Sequence, residues 1–313
     1  MIRLYSDVPP FMGIKLVSDL NALGSCDAVI QGVPFDSVAT FRGGATRLAP
    51  QTIRKFSMLF SDYFVETQIS LSDLLVSVDI GDIDIAPGNT EESFRRIEER
   101  TSLIRAKKAI PLSIGGDHIV TFPIVKAISQ EAKGKIGIVQ FDTHLDLVDH
   151  LEGNHFTRAS PMKRILELRN VDPHNVVQIG IRGWRNDKDE HEAASRIGTT
   201  IYTIDQVHEK GIETVCKEAL QITNRDTCGV YVTFDIDVMD PAYAPGTNSP
   251  DPNGLTSREA ILALRTICNS RLLGFDLVEV APEYDIPSGI TSILSARLVA
   301  EVLNALALAK SHH

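Results

Sequence analysis

Short runs of consecutive apolar residues, rich in Val and Ile, recur along the whole chain and alternate with longer segments of helical periodicity. Such runs are typical of parallel strands that are buried on both faces, because neither face has to be polar. The eight predicted strands are residues 28–32, 75–80, 110–114, 136–141, 176–181, 200–204, 230–236 and 273–278. The predicted helices are residues 49–60, 90–108, 122–131, 160–169, 212–223, 257–270 and 288–310.

This alternation predicts an α/β fold in which helices connect parallel strands. An open sheet between two helical layers and a closed eight-stranded barrel both satisfy the hydrophobic pattern. No linker rich in Pro, Ser or Gly divides the chain, so a single domain is predicted over residues 1–313. Residues 1–27 are interpreted as a segment that covers a sheet edge or takes part in a subunit contact. The final pair, His312 and His313, is interpreted as the remnant of an expression tag.

Composition narrows the classes of function. A net charge of -10 and a pI of about 5.4 argue against a nucleic-acid surface, which needs clustered Lys and Arg. The four cysteines are dispersed and are expected to be reduced. No leader pattern opens the chain, and no apolar stretch is expected to reach the ~20 residues of a membrane span. The expected setting is the cytoplasm, without nucleic-acid or membrane partners.

Polar side chains follow several predicted strands at the point where each strand ends. They are Asp79 and Asp82, the run Gly115-Gly116-Asp117-His118, the acids and histidine of residues 142–146, the acids of residues 235–240, and Glu279. The carboxyl ends of parallel strands form one rim of a sheet or barrel, where ligands bind. All of these clusters are therefore predicted to meet at a common site.

Two of these clusters have the residue types of metal ligands. Asp142, His144 and Asp146 alternate with other residues, and an extended backbone would turn all three side chains to one side. Asp235 and Asp237 repeat this spacing behind a second apolar strand. Burying several carboxylates together is costly without a compensating cation. The spacing therefore predicts a metal site.

The alternative is that these acids cap helices, pair with arginines or lie in exposed loops. That alternative is favoured for any single Asp after a strand. Five alternating acids and imidazoles behind two apolar strands favour the metal, and His118 at a neighbouring strand end adds a nitrogen ligand. Carboxylates with two imidazoles and no thiolate suit Mn²⁺ before Zn²⁺ or Ni²⁺. Six such ligands exceed the needs of one ion, so two ions are predicted.

Three segments resemble the signature sequences of the ureohydrolases, the family that includes arginase and agmatinase. They are IGGDHIVTFPIVKA around His118, FDTHLD from Phe141, and DIDVMDPAYAPGTNSPDPNG from Asp235, in matching order and spacing. The agmatinase-like branch is the more similar one, because of GVPFD at residues 32–36, RGGATRLAPQTIR at residues 42–54 and DLVEVAPEYD at residues 276–285.

The resemblance implies a three-layer α/β/α fold with an eight-stranded, mostly parallel sheet, assembled as a homo-oligomer, either a trimer or a hexamer. It implies two Mn²⁺ ions per subunit, with Asp142 and Asp235 bridging them. One ion would be held by His118, Asp142, Asp146 and Asp235, and the other by Asp142, His144, Asp235 and Asp237. Asp146 would orient a hydroxide, and Glu279 would hold the guanidinium group. The implied reaction is hydrolysis of agmatine to putrescine and urea, a step of polyamine biosynthesis.

The chain departs from the family pattern at Arg158, which aligns with a histidine that relatives are thought to use for proton transfer. Arginine stays protonated and cannot take that role, so His155 is the alternative shuttle. Arg158 could instead bind a substrate carboxylate, which would favour a guanidino acid such as 4-guanidinobutyrate. Further substrate contacts are expected from Asn154, Thr247 and Asn248. The remaining alternatives are a formimidoylglutamate hydrolase and a metal-binding oligomeric homologue with little catalysis.

Overall fold

The computed structural model describes residues 8–18, 24–36, 42–43, 45–269, 271–285 and 287–311. Its strands are β1 (Ala28–Gly32), β2 (Tyr63–Phe64), β3 (Ile69–Ser70), β4 (Ser77–Asp82), β5 (Ile110–Ile114), β6 (Lys135–Phe141), β7 (Val171–Ile181), β8 (Thr200–Thr203), β9 (Thr227–Asp235) and β10 (Leu272–Val278). Its α-helices are α1 (Ala49–Ser57), α2 (Leu71–Leu74), α3 (Thr90–Ala106), α4 (Thr121–Glu131), α5 (Pro161–Ile165), α6 (Lys188–Ile197), α7 (Ile204–Lys210), α8 (Ile212–Thr223), α9 (Ser257–Ile267) and α10 (Ile290–Ser311).

Eight of the described strands form one parallel sheet in the order β4-β1-β5-β10-β9-β6-β7-β8. The sheet is open, with β4 and β8 at its edges, so the barrel alternative is wrong and the eight-stranded α/β/α prediction is confirmed. Strands β5, β10, β9 and β6 are consecutive at its centre. Their carboxyl ends are therefore neighbours, and they carry the predicted site residues. The hairpin of β2 and β3 is separate and antiparallel.

Alternate side chains of the central strands enter two different hydrophobic clusters, one on each face of the sheet. In β6, Val139 and Phe141 belong to the cluster that contains buried side chains of α1, α7, α8, α9 and α10, while Ile136 and Ile138 belong to the cluster that contains those of α3, α4, α5 and α6. This alternation is what a strand dictates, and both sets are apolar because helices cover both faces. The three layers follow directly from it.

Several predicted boundaries are wrong. Helix α5 ends at Ile165 instead of residue 169, and Ile204 begins α7 instead of ending a strand. The hydrophobic pattern missed α2, α6, α7 and the β2–β3 hairpin. Helix α6 buries only Ala194 among its described side chains, so it has almost no apolar stripe to detect. Its capping box, formed by Asp187 and Glu190, was the available signal.

Helix α10 corrects the expectation that no segment is long and apolar enough to span a membrane. It has 22 residues, and among the described helices it alone meets that test of length and composition. Of the 18-residue stretch that meets the test, 78% is buried. The helix packs against α1 and α9 as a core helix does.

Part of the predicted cover segment lies along the sheet edge. Leu16 forms a parallel bridge with Asp79 of β4, and the Val17 amide donates to the Asp79 carbonyl at 2.8 Å. Residues 1–7, residues 19–23 and the pair His312 and His313 lie outside the described residues.

Candidate metal centre and active site

The acids and histidine after β6 converge because the chain turns. Strand β6 ends at Phe141, and the following residues form a loop in which Asp146 adopts a left-handed φ of 54°. The His144 amide donates to Oδ1 of Asp142 at 2.6 Å, which tightens the loop. The expectation of an extended backbone over residues 142–146 is therefore wrong, although all three side chains reach one site. A left-handed aspartate is costly and is typical of functional sites.

A second turn supplies the other two acids. Asp235 is the last residue of β9, and Asp237 lies in the 3-10 turn that follows, with its amide donating to Oδ1 of Asp235 at 2.8 Å. The Thr143 amide donates to Oδ1 of Asp237 at 3.3 Å, and the Thr143 hydroxyl donates to the Asp237 carbonyl at 2.7 Å. These bonds join the two loops into one rigid unit.

His118 lies at the centre of the cluster. It is fully buried at the start of the 3-10 turn after β5. Its Nδ1 atom lies 3.1 Å from Asp142, 2.8 Å from Asp146 and 3.2 Å from Asp235, measured to one Oδ2 of each. Nδ1 of His118 nevertheless has no hydrogen-bond partner among the described residues. Four ligand-type atoms therefore surround a common point without bonding to one another, as they would around a cation.

The opposite ring nitrogen of His118 is held by a buried relay. Nε2 lies 3.0 Å from the Thr233 hydroxyl, which itself donates to Oδ1 of Asp276 at 2.5 Å. Since the hydroxyl hydrogen is used on Asp276, the hydroxyl oxygen accepts the proton of Nε2. The relay therefore keeps a proton on Nε2 and leaves Nδ1 as the ring nitrogen that can bind a metal ion.

The remaining ligand-type residues form a second group beside the first. Nδ1 of His144 lies 3.5 Å from Oδ1 of Asp142 and 3.1 Å from Oδ2 of Asp237. Two groups among the described residues have the spacing to hold a metal ion: His118 with Asp142 and Asp146, and His144 with Asp142 and Asp237. Asp142 belongs to both groups, as predicted for a bridging ligand. The donor set and its spacing fit a divalent metal.

Burial and mutual repulsion oppose charge on these acids. Burial, followed by the nearby Asp142 carboxylate, raises the pKa of Asp146 to about 7. Burial, followed by Asp237 and Asp142, also raises the pKa of Asp235 well above its ordinary value. Acids in this condition are stable as carboxylates when cations lie among them.

A cavity of about 370 Å³ opens onto the cluster, a size that suits a small ligand. Its lining combines ligand-type residues with residues of neighbouring loops and of α6. These are His144, Leu145, Asp146, Val148, Leu151, Thr157, Arg158, Ala159, Arg185, Asn186, Glu190, Asp235, Asp237, Ser249 and Glu279.

Glu279 follows β10 and faces this cavity with a left-handed φ of 63°. Its Oε1 accepts the His118 amide at 2.9 Å, and its Oε2 accepts a hydrogen bond from Nη1 of Arg158 at 2.8 Å. Burial raises the pKa of Glu279 to about 7, while the Arg158 guanidinium acts in the opposite direction. Arg158 also donates to Oδ1 of Asp36 at 3.2 Å. Arg158 is therefore paired with the acid that was predicted to hold the substrate.

Four other predicted contact residues are placed elsewhere. The His155 side chain is 50% exposed, and its Nδ1 lies 3.0 Å from the Asp149 carbonyl. Asn154 is exposed and accepts the Phe156 amide, while Thr247 and Asn248 are buried in the loop after β9. Of the described residues that line the cavity, none is His155, Asn154, Thr247 or Asn248.

Sequence reasoning missed the part of the cavity wall that α6 supplies. Glu190 lines the cavity and accepts the Leu147 amide at 3.1 Å, and burial raises its pKa. Asn186 accepts the Leu145 amide at 2.9 Å and donates to the Thr143 carbonyl at 3.0 Å. The helix start at Asp187 was the signal that would have placed both residues near the site.

Comparison with known proteins decides the family. The model of the arginase family matches residues 26–304. The chain belongs to the arginase family. Guanidinopropionase of Pseudomonas aeruginosa is 36% identical over 307 residues, covering 98% of this chain and 94% of that protein. Agmatinase of Bacillus subtilis is 36% identical over 280 residues, covering 88% of this chain and 91% of that protein.

A solved structure of the same arginase family agrees in fold. Proclavaminate amidinohydrolase from Streptomyces clavuligerus superposes with a TM-score of 0.89 at 32% identity, covering 98% of this chain and 100% of that chain. This arginase-family chain is thus an agmatinase-like ureohydrolase, and the predicted hydrolase class is confirmed. The family is metal-dependent, in keeping with the buried His and Asp groups.

Proposed function

We propose that the chain is a two-metal hydrolase that cleaves a guanidino C–N bond and releases urea. The observation that carries this proposal is the buried Nδ1 atom of His118, which three carboxylate oxygens approach within 3.2 Å without a hydrogen bond. Carboxylates this close to one another repel unless they share a cation. The arrangement supports metal-assisted hydrolysis over a purely structural role for the acids.

We assign the two ions to overlapping ligand sets. One set comprises His118, Asp142, Asp146 and Asp235, and the other comprises Asp142, His144, Asp235 and Asp237. Oxygen-rich ligation with two imidazoles favours Mn²⁺. When bound, two such ions supply a hydroxide nucleophile near neutral pH by lowering the pKa of water.

The chain's own residues would bind and orient the substrate. The Glu279 carboxylate can accept N–H donors from a guanidinium group, and its bond with the His118 amide fixes its direction. A guanidinium carbon held in this way lies beside the ligand cluster, which lowers the entropic cost of attack. Asp146 lines the same cavity and can accept a hydrogen bond from the nucleophile.

A histidine shuttle is not part of the proposal. Of the described residues that line the cavity, His144 is the one histidine, and it belongs to a ligand set. Arg158 stands where the shuttle was predicted, and arginine does not exchange a proton at neutral pH.

The amine side of the substrate divides the proposal into two candidates. Agmatine is the substrate predicted from the resemblance, and the likeness to an agmatinase supports it. The likeness to a guanidinopropionase, together with the two arginines that line the cavity, Arg158 and Arg185, supports a guanidino acid. A homo-oligomeric assembly (trimer or hexamer), a cytoplasmic location and a role in polyamine biosynthesis stay predictions from the sequence.

The test is urea release by Mn²⁺-loaded protein from agmatine, arginine, 4-guanidinobutyrate and guanidine. We expect urea from at least one compound and its loss in Asp235→Asn, which keeps the side-chain shape and removes the charge. Silence across the panel from protein that holds two ions would contradict guanidino hydrolysis. Release of formamide from formimidoylglutamate by that protein would then establish the formimino alternative, and silence there too would indicate a non-catalytic homologue.

A further inference from the structure

The guanidinium-binding acid of the cavity already holds a guanidinium, that of Arg158. Nη1 of Arg158 donates to Oε2 of Glu279 at 2.8 Å, and both side chains are largely buried, with 11% and 5% exposed. A substrate guanidinium that binds the same oxygen therefore competes with a residue of the chain itself. Substrate binding becomes an exchange of partners on Glu279.

The exchange takes one of the nearby carboxylates away from Arg158. Besides Glu279, its guanidinium lies 3.2 Å from Asp36 and 3.9 Å from Asp117. Asp36 is also 3.5 Å from Arg47, so it already pairs with two arginines and does not fully replace Glu279. Taking a carboxylate away from a buried arginine is costly, because the charge of the arginine stays out of water.

The two candidate substrate classes differ in how they meet this cost. Agmatine brings a second cation into the cavity and offers Arg158 nothing in return. A guanidino acid brings a guanidinium for Glu279 and a carboxylate for Arg158, so one buried ion pair is replaced by two. Arg158 lines the cavity, and its long side chain can follow the carboxylate without leaving it.

We propose that Arg158 closes the guanidinium site on Glu279 and opens it by exchanging Glu279 for the carboxylate of a guanidino acid. Arg158 is thereby the residue that selects guanidino acids over guanidino amines. This inference rests on the proposed function, since it concerns the same site. It makes Arg158 a substrate-binding residue with no part in proton transfer.

The test compares 4-guanidinobutyrate with agmatine in the Mn²⁺-loaded wild type and in Arg158→Gln. We expect the wild type to favour the acid in kcat/KM by at least about ten-fold, equivalent to one ion pair of ~1.4 kcal/mol. In Arg158→Gln the KM for the acid should rise by about that factor while the KM for agmatine stays the same or falls. If Arg158→Gln does not fold, Arg158→Met replaces it as a second neutral variant of similar length.

Arg185→Gln is the matched control. Arg185 lines the same cavity but is exposed, and among the described residues it forms no ion pair. A general effect of positive charge would reduce the preference for the acid equally in both variants, and that outcome would overturn the proposal. So would a wild type that prefers agmatine, or a loss in Arg158→Gln that is equal for both substrates and confined to kcat.

A binding measurement separates this inference from the proposed function. Metal-free protein cannot turn the ligand over, so calorimetry can measure its affinity for 4-guanidinobutyrate and for agmatine directly. We expect the acid to bind more tightly than agmatine. In Arg158→Gln, the ratio of the two dissociation constants should approach one. An unchanged ratio would overturn the role of Arg158 even if urea is released, whereas absence of urea with a changed ratio would overturn only the hydrolytic function.

Discussion

Two acidic clusters of this protein belong to parallel strands or to the turns that follow them, yet the acids have different partners. Within β4, the fully buried Asp79 accepts two hydrogen bonds from Arg54, at 2.8 and 3.0 Å, and Arg54 also pairs with Asp82. After β6 and β9, every ion pair of the described acids at positions 142, 146, 235 and 237 has a histidine as its partner.

The difference separates buried acids that are paired with an arginine of the chain from buried acids whose surroundings suit a metal ion. A bidentate arginine supplies a full positive charge and two donors, so the buried acid of β4 has its counter-charge within the chain. A neutral imidazole supplies a lone pair and no charge, so the cluster at His118 has the composition of a site that could hold a metal ion. Burial of acids alone does not distinguish a metal site from a structural ion pair; the identity of the nearest base does.

The largest expected effect follows from removing the acid that both metal groups share. Asp142→Asn keeps the shape of the side chain but removes one negative charge from the cluster. We expect urea release to fall by more than the roughly 100-fold that loss of an outer-shell partner costs. The measurement is kcat at saturating Mn²⁺. Asp82→Asn, at the partly exposed acid of the other cluster, is the control, and a comparable loss there would break the distinction.

Breaking the other cluster should cost stability instead of activity. Arg54→Met leaves Asp79 buried without a cation, which should lower the free energy of unfolding by ~3–5 kcal/mol. Calorimetric melting of the Mn²⁺-loaded protein measures this. Arg95→Met removes an exposed arginine of α3 that pairs with Glu92, and its expected cost is much smaller, because solvent screens an exposed ion pair. Equal melting temperatures of the two variants would contradict the structural role of Arg54.

The smallest expected effect sharpens the role of His118. Thr233→Val removes the hydroxyl that fixes the His118 tautomer, so Mn²⁺ affinity should weaken by roughly 10–100-fold. Tyr231→Phe is the control, because Tyr231 donates to the same Asp276 at 2.5 Å without contacting His118 in the relay. A metal titration that gives equal losses for both variants would show that the Thr233 hydroxyl has no special part.

The convergence of the candidate metal-binding residues could be predicted because their signal is local. Acids and histidines directly behind apolar strands are visible in the sequence, and the central position of β5, β6, β9 and β10 brings them together. The prediction that Asp79 and Asp82 join the same site is wrong, because that site depends on contacts that are not local. Their strand, β4, lies at the sheet edge, and strand order depends on long-range packing that no local pattern contains.

The substrate side of the cavity was harder to predict because its contacts join distant loops. Arg158 and Glu279 are 121 residues apart, and nothing near either residue indicates that they pair. Position within one loop suggested His155 and Asn154, but neither residue lines the cavity. Helix α6 was missed for its lack of an apolar stripe, and with it the wall residues Asn186 and Glu190.

The measurement that tests the central claim most directly is the metal content of the chain, read by mass spectrometry on the same Mn²⁺-loaded sample that is assayed for urea. The account predicts two ions per chain with urea release, and loss of bound metal together with activity in Asp142→Asn. A folded wild-type protein that binds no metal, or that releases urea equally well after complete metal removal, would contradict it.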